Sequence, residues 1–315
     1  YNASRPFSVL ALVMVSLLLC SFKILAQNKP NFSGYVKTQF SHNTKISKIS
    51  IINARVKLSG TIDEKTGYGI QIDTVRDDIL LDAFITRTIT DGLTIMAGQF
   101  RTPYSTDNLT NNAKTTFINR PYSFKETSPH FRDQGIQCFY KHKYFDAIGA
   151  IMNGSGQNTA EFNNNKGLAL RLVAKLIPQF NLSGNFYTAK MSDADDESDD
   201  FINVGAHGSM SGFSYVGEYA QQKHGSLTNH ALIAWLSYDW KLGSDLINII
   251  TPAVRAEMAD PNVDTDDDAK SRYSFAVTAH FNEKFANRIM LNYELTEVET
   301  GEADDLLCVE YIVLF

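Results

Sequence analysis

From about residue 32 to its last residue the chain divides into sixteen short stretches in which apolar and polar side chains alternate, and the connections between them are sorted by length. In "NARVKLSG", Ala54, Val56 and Leu58 point one way and Arg55, Lys57 and Ser59 the other. "LALRLVAK" sets Leu168, Leu170, Leu172 and Ala174 against Arg171 and Lys175, and "NRIMLNYELT" sets Ile289, Leu291, Tyr293 and Leu295 against Asn292, Glu294 and Thr296. A period of two is the signature of strands with one apolar and one polar face. The stretches fall near 32–41, 47–60, 68–75, 80–89, 93–100, 132–141, 144–153, 166–176, 180–189, 201–209, 213–222, 230–241, 246–258, 270–281, 285–296 and 305–315.

Numbered upward from the first strand, one set of alternate connections is brief: "TIDEKTG", "TDG", "HK", "IPQ", "MSG", "LGSD" and "NEK". The other set holds residues 101–131, "GSGQNTAEFNNN", "KMSDADDESDD", "KHGSLTN", "ADPNVDTDDDA" and "EVETGEADD". A soluble sandwich has no reason to sort loop length by parity. A transmembrane barrel does, because its periplasmic turns are short and its extracellular loops long. Spanning strands need about 9–11 residues, which most of the stretches supply, and an even count suits antiparallel closure. The reading is therefore all-β: a transmembrane antiparallel β-barrel of about sixteen strands. The terminal run "LLCVEYIVLF" alternates to Phe315 and is expected to pair with the first strand and close the barrel.

The other end supports export. Ser8–Phe22 is an apolar block preceded by Arg5 and followed by "KILAQ", with Ala26 at a cleavage-like position, so residues 1–26 read as a signal peptide and 27–315 as the barrel. A retained anchor would need about 20 apolar residues, and Leu19 is bulky for a lipoprotein signal at Cys20. Without residues 1–26 the chain holds 27 basic and 35 acidic groups, a net of −8, which argues against nucleic acid as a partner. The mean hydropathy of −0.20 looks soluble, yet a barrel needs only alternate residues to be apolar. Cys138 and Cys308 sit in separate strands and read as structural.

Charge is unevenly placed. Residues 27–175 hold 19 basic and 12 acidic groups, and 176–315 hold 8 and 23. Sixteen of the acids lie in 192–200, 260–268 and 297–305, as solvated outer loops or as bridges to surface lipid through divalent cations. Arg55, Lys57, Arg171 and Lys175 occupy polar strand faces. Facing lipid near the midplane each would cost about 2–4 kcal/mol. They belong in a water-filled lumen, as ordinary wall polarity or as an electropositive lining that draws in anions.

"DGLTIMAGQFRTPYS", Asp91 to Ser105, resembles the phosphate-selective porin O and P family, in which a Gly-Gln-Phe-Lys/Arg-Thr-Pro-Phe stretch leaves a strand. The likeness continues through "ARVKLSGTIDEKTGYGIQID", "LLDAFI", "TTFINRPYSF" and "HFRDQGIQCFYK". Locally, Gly98 permits close backbone approach, Gln99 is polar within a strand, and Pro103 ends ladder pairing. The resemblance implies that the connection near 101–131 folds inward and narrows the pore. Arg101, Lys114, Arg120, Lys125 and Arg132 would then stand at or near the constriction, with Asp107 and Glu126 as counter-charges. The alternative role for the arginines is that of ion-paired loop anchors.

The resulting expectation is a bacterial outer-membrane porin, a passive diffusion channel for small hydrophilic solutes with a preference for anions, phosphate among them. Its expected partners are outer-membrane lipid, small anionic solutes and, by resemblance, further copies in a trimer. No cofactor or metal is implied. A plugged barrel serving as anchor for other envelope proteins is the alternative. An enzyme finds no support: G-x-S-x-G and H-E-x-x-H are missing from the sequence, and His207 and Ser209 in "AHGS" are too close together to form a relay.

Overall fold

The computed structural model describes residues 29–122, 127–191, 197–244, 246–282, 286–301 and 303–315; the expected signal peptide lies outside them. The strands are β1 (Asn31–His42), β2 (Ser47–Thr61), β3 (Thr66–Asp73), β4 (Leu80–Thr90), β5 (Leu93–Arg101), β6 (Arg132–Lys141), β7 (Phe145–Met152) and β8 (Gly167–Ile177). They continue with β9 (Phe180–Ala189), β10 (Asp199–Met210), β11 (Phe213–His224), β12 (Leu227–Tyr238), β13 (Ile249–Asp260), β14 (Lys270–His280), β15 (Asn287–Val298) and β16 (Asp304–Leu314). Trp240–Lys241 carries β12 past Asp239 and pairs with the same neighbour, β13. Each strand is antiparallel to the next, and β16 returns to β1 from Tyr35↔Leu314 to His42↔Leu307. The result is a closed barrel with no free edge, the condition for an all-β chain to cross lipid.

Closure runs to the last residue. Gly34 N donates to Phe315 O at 2.8 Å and Phe315 N to Gly34 O at 3.0 Å, while the Phe315 and Phe32 rings lie 6.3 Å apart on the outer face. Short turns join the strands at this end. Ser211 and Gly212 both have positive φ (52° and 89°), the pair a tight primed hairpin turn requires.

The two faces obey the alternation. Leu232, Leu236, Val254, Phe275 and Leu291 are exposed on the outside. The interior, by contrast, is polar and packed: Lys37, Arg55, Arg132, Arg255, Glu294 and Glu310 are all buried. Several expected boundaries shift. The stretch expected at 68–75 is Thr66–Asp73, and 201–209 extends to Asp199–Met210. Asp199, Asp200, Asp260, Glu297, Asp304 and Asp305, expected in loops, therefore belong to strand ends.

The connection from β5 to β6 carries a short helix, α1 (Thr106–Leu109), and a 3-10 turn at Asn112–Lys114. Ser105 caps α1 by accepting from Asn108 N at 3.0 Å.

Candidate functional site

The β5–β6 loop leaves its strand through the "GQFRTP" motif, and each residue of that motif has a visible task. Gly98 has φ +130°, and a Cβ there would run into the Ala83 carbonyl oxygen of β4. Gln99 donates to Leu81 O at 2.9 Å and accepts from Asn158 N at 2.8 Å, joining this loop to the next. Pairing ends after Thr102, whose N–H reaches Phe131 O at 3.2 Å. Pro103 has no N–H to extend it.

Three arginines expected at the constriction converge here on one ring. The guanidinium carbons of Arg101, Arg120 and Arg132 lie 4.9, 5.1 and 4.7 Å from the Phe131 centroid. Arg101 donates to the Asn108 and Thr110 carbonyls at 3.0 and 2.6 Å. Arg120 pairs with Asp107 at 2.7 Å and bonds Asn112, and Arg132 pairs with Asp82 at 2.7 Å. These contacts tie the loop into a compact hairpin. They also neutralise two of the three charges, as the anchor role requires.

The loop reaches the opposite wall and docks there on β11 and β13–β15. Arg255 and Arg272 share the carboxylates of Glu257 and Glu294: Arg255–Glu257 3.2 Å, Arg255–Glu294 3.4 Å, Arg272–Glu257 2.5 Å and Arg272–Glu294 3.3 Å. Loop groups complete this square. Arg255 donates to Asn119 O at 2.8 Å and Arg272 to Arg120 O at 2.7 Å, while Asn119 donates to Glu294 at 3.0 Å and Tyr122 N to Glu257 at 2.6 Å. Nearby, Glu218 accepts from Thr106 N at 2.7 Å. Rings add to the seam: Phe117 meets Trp235 edge-to-face at 6.3 Å, and Arg272 covers Tyr122 at 4.2 Å. Charges buried this deeply persist only when paired and hydrogen-bonded, and here they are.

The remaining expected residues divide in the same way. Arg55 is 1 % exposed, paired with Asp73 at 2.9 Å, and Lys175 pairs with Asp146 at 2.7 Å. Arg171 is buried and, among the described residues, its side chain bonds the neutral Asn185 and no carboxylate. Lys57 is half-buried and Lys114 exposed on the loop. Lys125 and Glu126 lie outside the described residues. The main docking residues, Arg255, Glu257 and Arg272, were not singled out from the sequence, although "TPAVRAEMAD" and "KSRYSFAV" carry them at alternate positions on a polar face.

Outside the spanning strands, burial pushes His130 below the ordinary imidazole value, with Asp133 and Asp199 opposing the shift. Burial also holds the Tyr104 phenol well above its usual value, and Glu218 raises it further.

A family model, phosphate-selective porin O and P, matches residues 26–247, more than half of the chain. The chain belongs to this porin family. No curated protein matches significantly. Among solved structures, an anion-selective porin from Comamonas acidovorans superposes with a TM-score of 0.71 at 13% identity, covering 91% of this chain and 99% of the other. In-vitro folded OmpT of Vibrio cholerae, in its trimer form, gives 0.66 at 10% identity over 91% and 99%. Pseudomonas putida OprB gives 0.65 at 9% over 91% and 94%. At these identities the likeness is one of fold. Family and fold together make this an outer-membrane channel of bacteria, and they do not favour the plugged-anchor alternative.

Proposed function

We propose that the barrel is a passive channel for small hydrophilic solutes with a preference for anions, phosphate being one candidate. The observation that carries this reading is the surplus of positive charge left inside after ion pairing. Lys57, Arg101, Lys114, Arg171 and Arg288, on lumen faces or the loop, pair with no carboxylate among the described residues. Against these five, Asp133, Glu218 and Asp239 are the carboxylates without a Lys or Arg partner in the same belt among the described residues. In a narrow, low-dielectric passage such a surplus lowers the entry barrier for anions. The acidic outer loops work against it only weakly, because beyond about 8 Å physiological salt screens exposed charge.

Removal of residues 1–26 on export and assembly into trimers belong to the same proposal, the second supported by the porin family and by the trimeric form of the OmpT neighbour. The test is the zero-current potential of the refolded chain in a planar bilayer under a potassium chloride gradient. Chloride is expected to be favoured, and a double Lys57→Gln, Arg171→Gln change is expected to reduce the preference. A potential favouring potassium contradicts the proposal.

A further inference from the structure

Below the loop, on the side of the short turns, a cleft of about 300 Å³ opens between Lys114–Thr116 and the wall made by β11–β16. Trp235, Asp239, Thr251, His280 and Arg288 line it. Its charge is not closed. Arg288 is 4 % exposed, its Nε has no hydrogen-bond partner among the described residues, and the hydrogen bond from its Nη2 to Thr115 O is stretched to 3.5 Å. The neighbouring Glu310 is already engaged by Lys37 at 2.9 Å. Arg55 and Arg132 also have an unpartnered nitrogen, but each has a carboxylate of its own; Arg288 has none among the described residues. A buried guanidinium left in this condition is costly, and the group that relieves it is an oxyanion able to accept from its fork.

The other walls narrow the choice of oxyanion. Lys114 adds a second cation from the loop. Asp239, the one carboxylate of the cleft, accepts from Thr251 Oγ1 at 2.7 Å, and His280 Nε2 lies 3.2 Å from the same hydroxyl. Lys114 and Arg288 therefore outweigh Asp239 by one formal charge. Trp235 is half-buried, meets Phe117 edge-to-face, and lines the cleft with its largely apolar indole. An inorganic anion has no use for an indole, whereas a carboxylate on a flat apolar body matches both ends. The cleft shares Thr115, Thr116 and Trp235 with a smaller void bordered by Arg120 and Arg255, so the two lie in sequence along one wall.

We infer that this cleft is a subsite for a small organic carboxylate, its apolar body on Trp235 and its charged group on Arg288 and Lys114. The inference rests on the channel reading. The test is chloride current through the full chain in a planar bilayer with benzoate added to both sides, compared with inorganic phosphate. Half-block by benzoate is expected at a concentration at least tenfold lower than by phosphate. Arg288→Gln weakens benzoate block at least tenfold. Trp235→Ala weakens it about fivefold and leaves phosphate block unchanged, and Trp235→Phe retains it, which separates loss of the ring from misfolding. Equal block by the two anions, or benzoate block insensitive to Trp235→Ala, overturns the subsite. Normal chloride current unaffected by benzoate overturns it alone, whereas a folded barrel that passes no current defeats the channel reading and the subsite together.

Discussion

The Arg255–Glu257–Arg272–Glu294 square does more at the residue scale than hold a wall together, because loop groups supply its remaining hydrogen bonds. Removing one carboxylate leaves two buried guanidinium groups sharing the other. Breaking such a pair costs about 3–5 kcal/mol, so Glu294→Ala is expected to lower the unfolding temperature in detergent and to open the loop to trypsin, while the exposed Asp63→Ala does neither. His130 gives the loop a pH dependence. Its folded-state value is lowered by burial from 6.5, so the unfolded form binds the proton more readily and stability is lost as pH falls below about 6.5. Trypsin sensitivity of residues 102–131 is expected to rise between pH 7 and 5, and His130→Asn is expected to flatten that rise. Of these residues, Arg101, Arg120 and Arg132 were legible because a motif marked them. Their partners were not, since pairing between Arg132 and Asp82, or between Asn119 and Glu294, joins residues distant in sequence.

Strands were the most legible elements, because alternation is imposed by the bilayer on every one of them. Their ends were less so: Thr66–Asp73 and Asp199–Met210 differ from the expected stretches because polar residues at the rim extend a ladder as readily as they leave it. The loop's inward path had only the resemblance behind it. Its geometry begins at Gly98, where φ is +130° and the Ala83 carbonyl leaves no room for a Cβ. Gly98→Ala is expected to disturb β4–β5 pairing and loop entry together, seen as a lower refolding yield and a lost heat-modifiable band. Gly184→Ala, on the lipid face with nothing within 4 Å of the added Cβ, is expected to have no such effect.

The charge asymmetry between the two halves of the chain takes on a meaning at the scale of the whole molecule. The basic first half supplies the loop and its arginines; the acidic second half supplies Glu218, Glu257 and Glu294, on which the loop docks. Composition showed the imbalance and placed most of the acids outside, but only the closed sheet brings those three carboxylates opposite the loop. The loop thus stands across the barrel interior, fixed at both sides. The measurement that tests this most directly is the single-channel conductance of a barrel in which residues 103–130 are replaced by a short Gly-Ser link, after its heat-modifiable migration shows that it has folded. The account predicts a conductance several-fold above that of the intact chain, with a weakened chloride preference. An unchanged conductance and selectivity would contradict it.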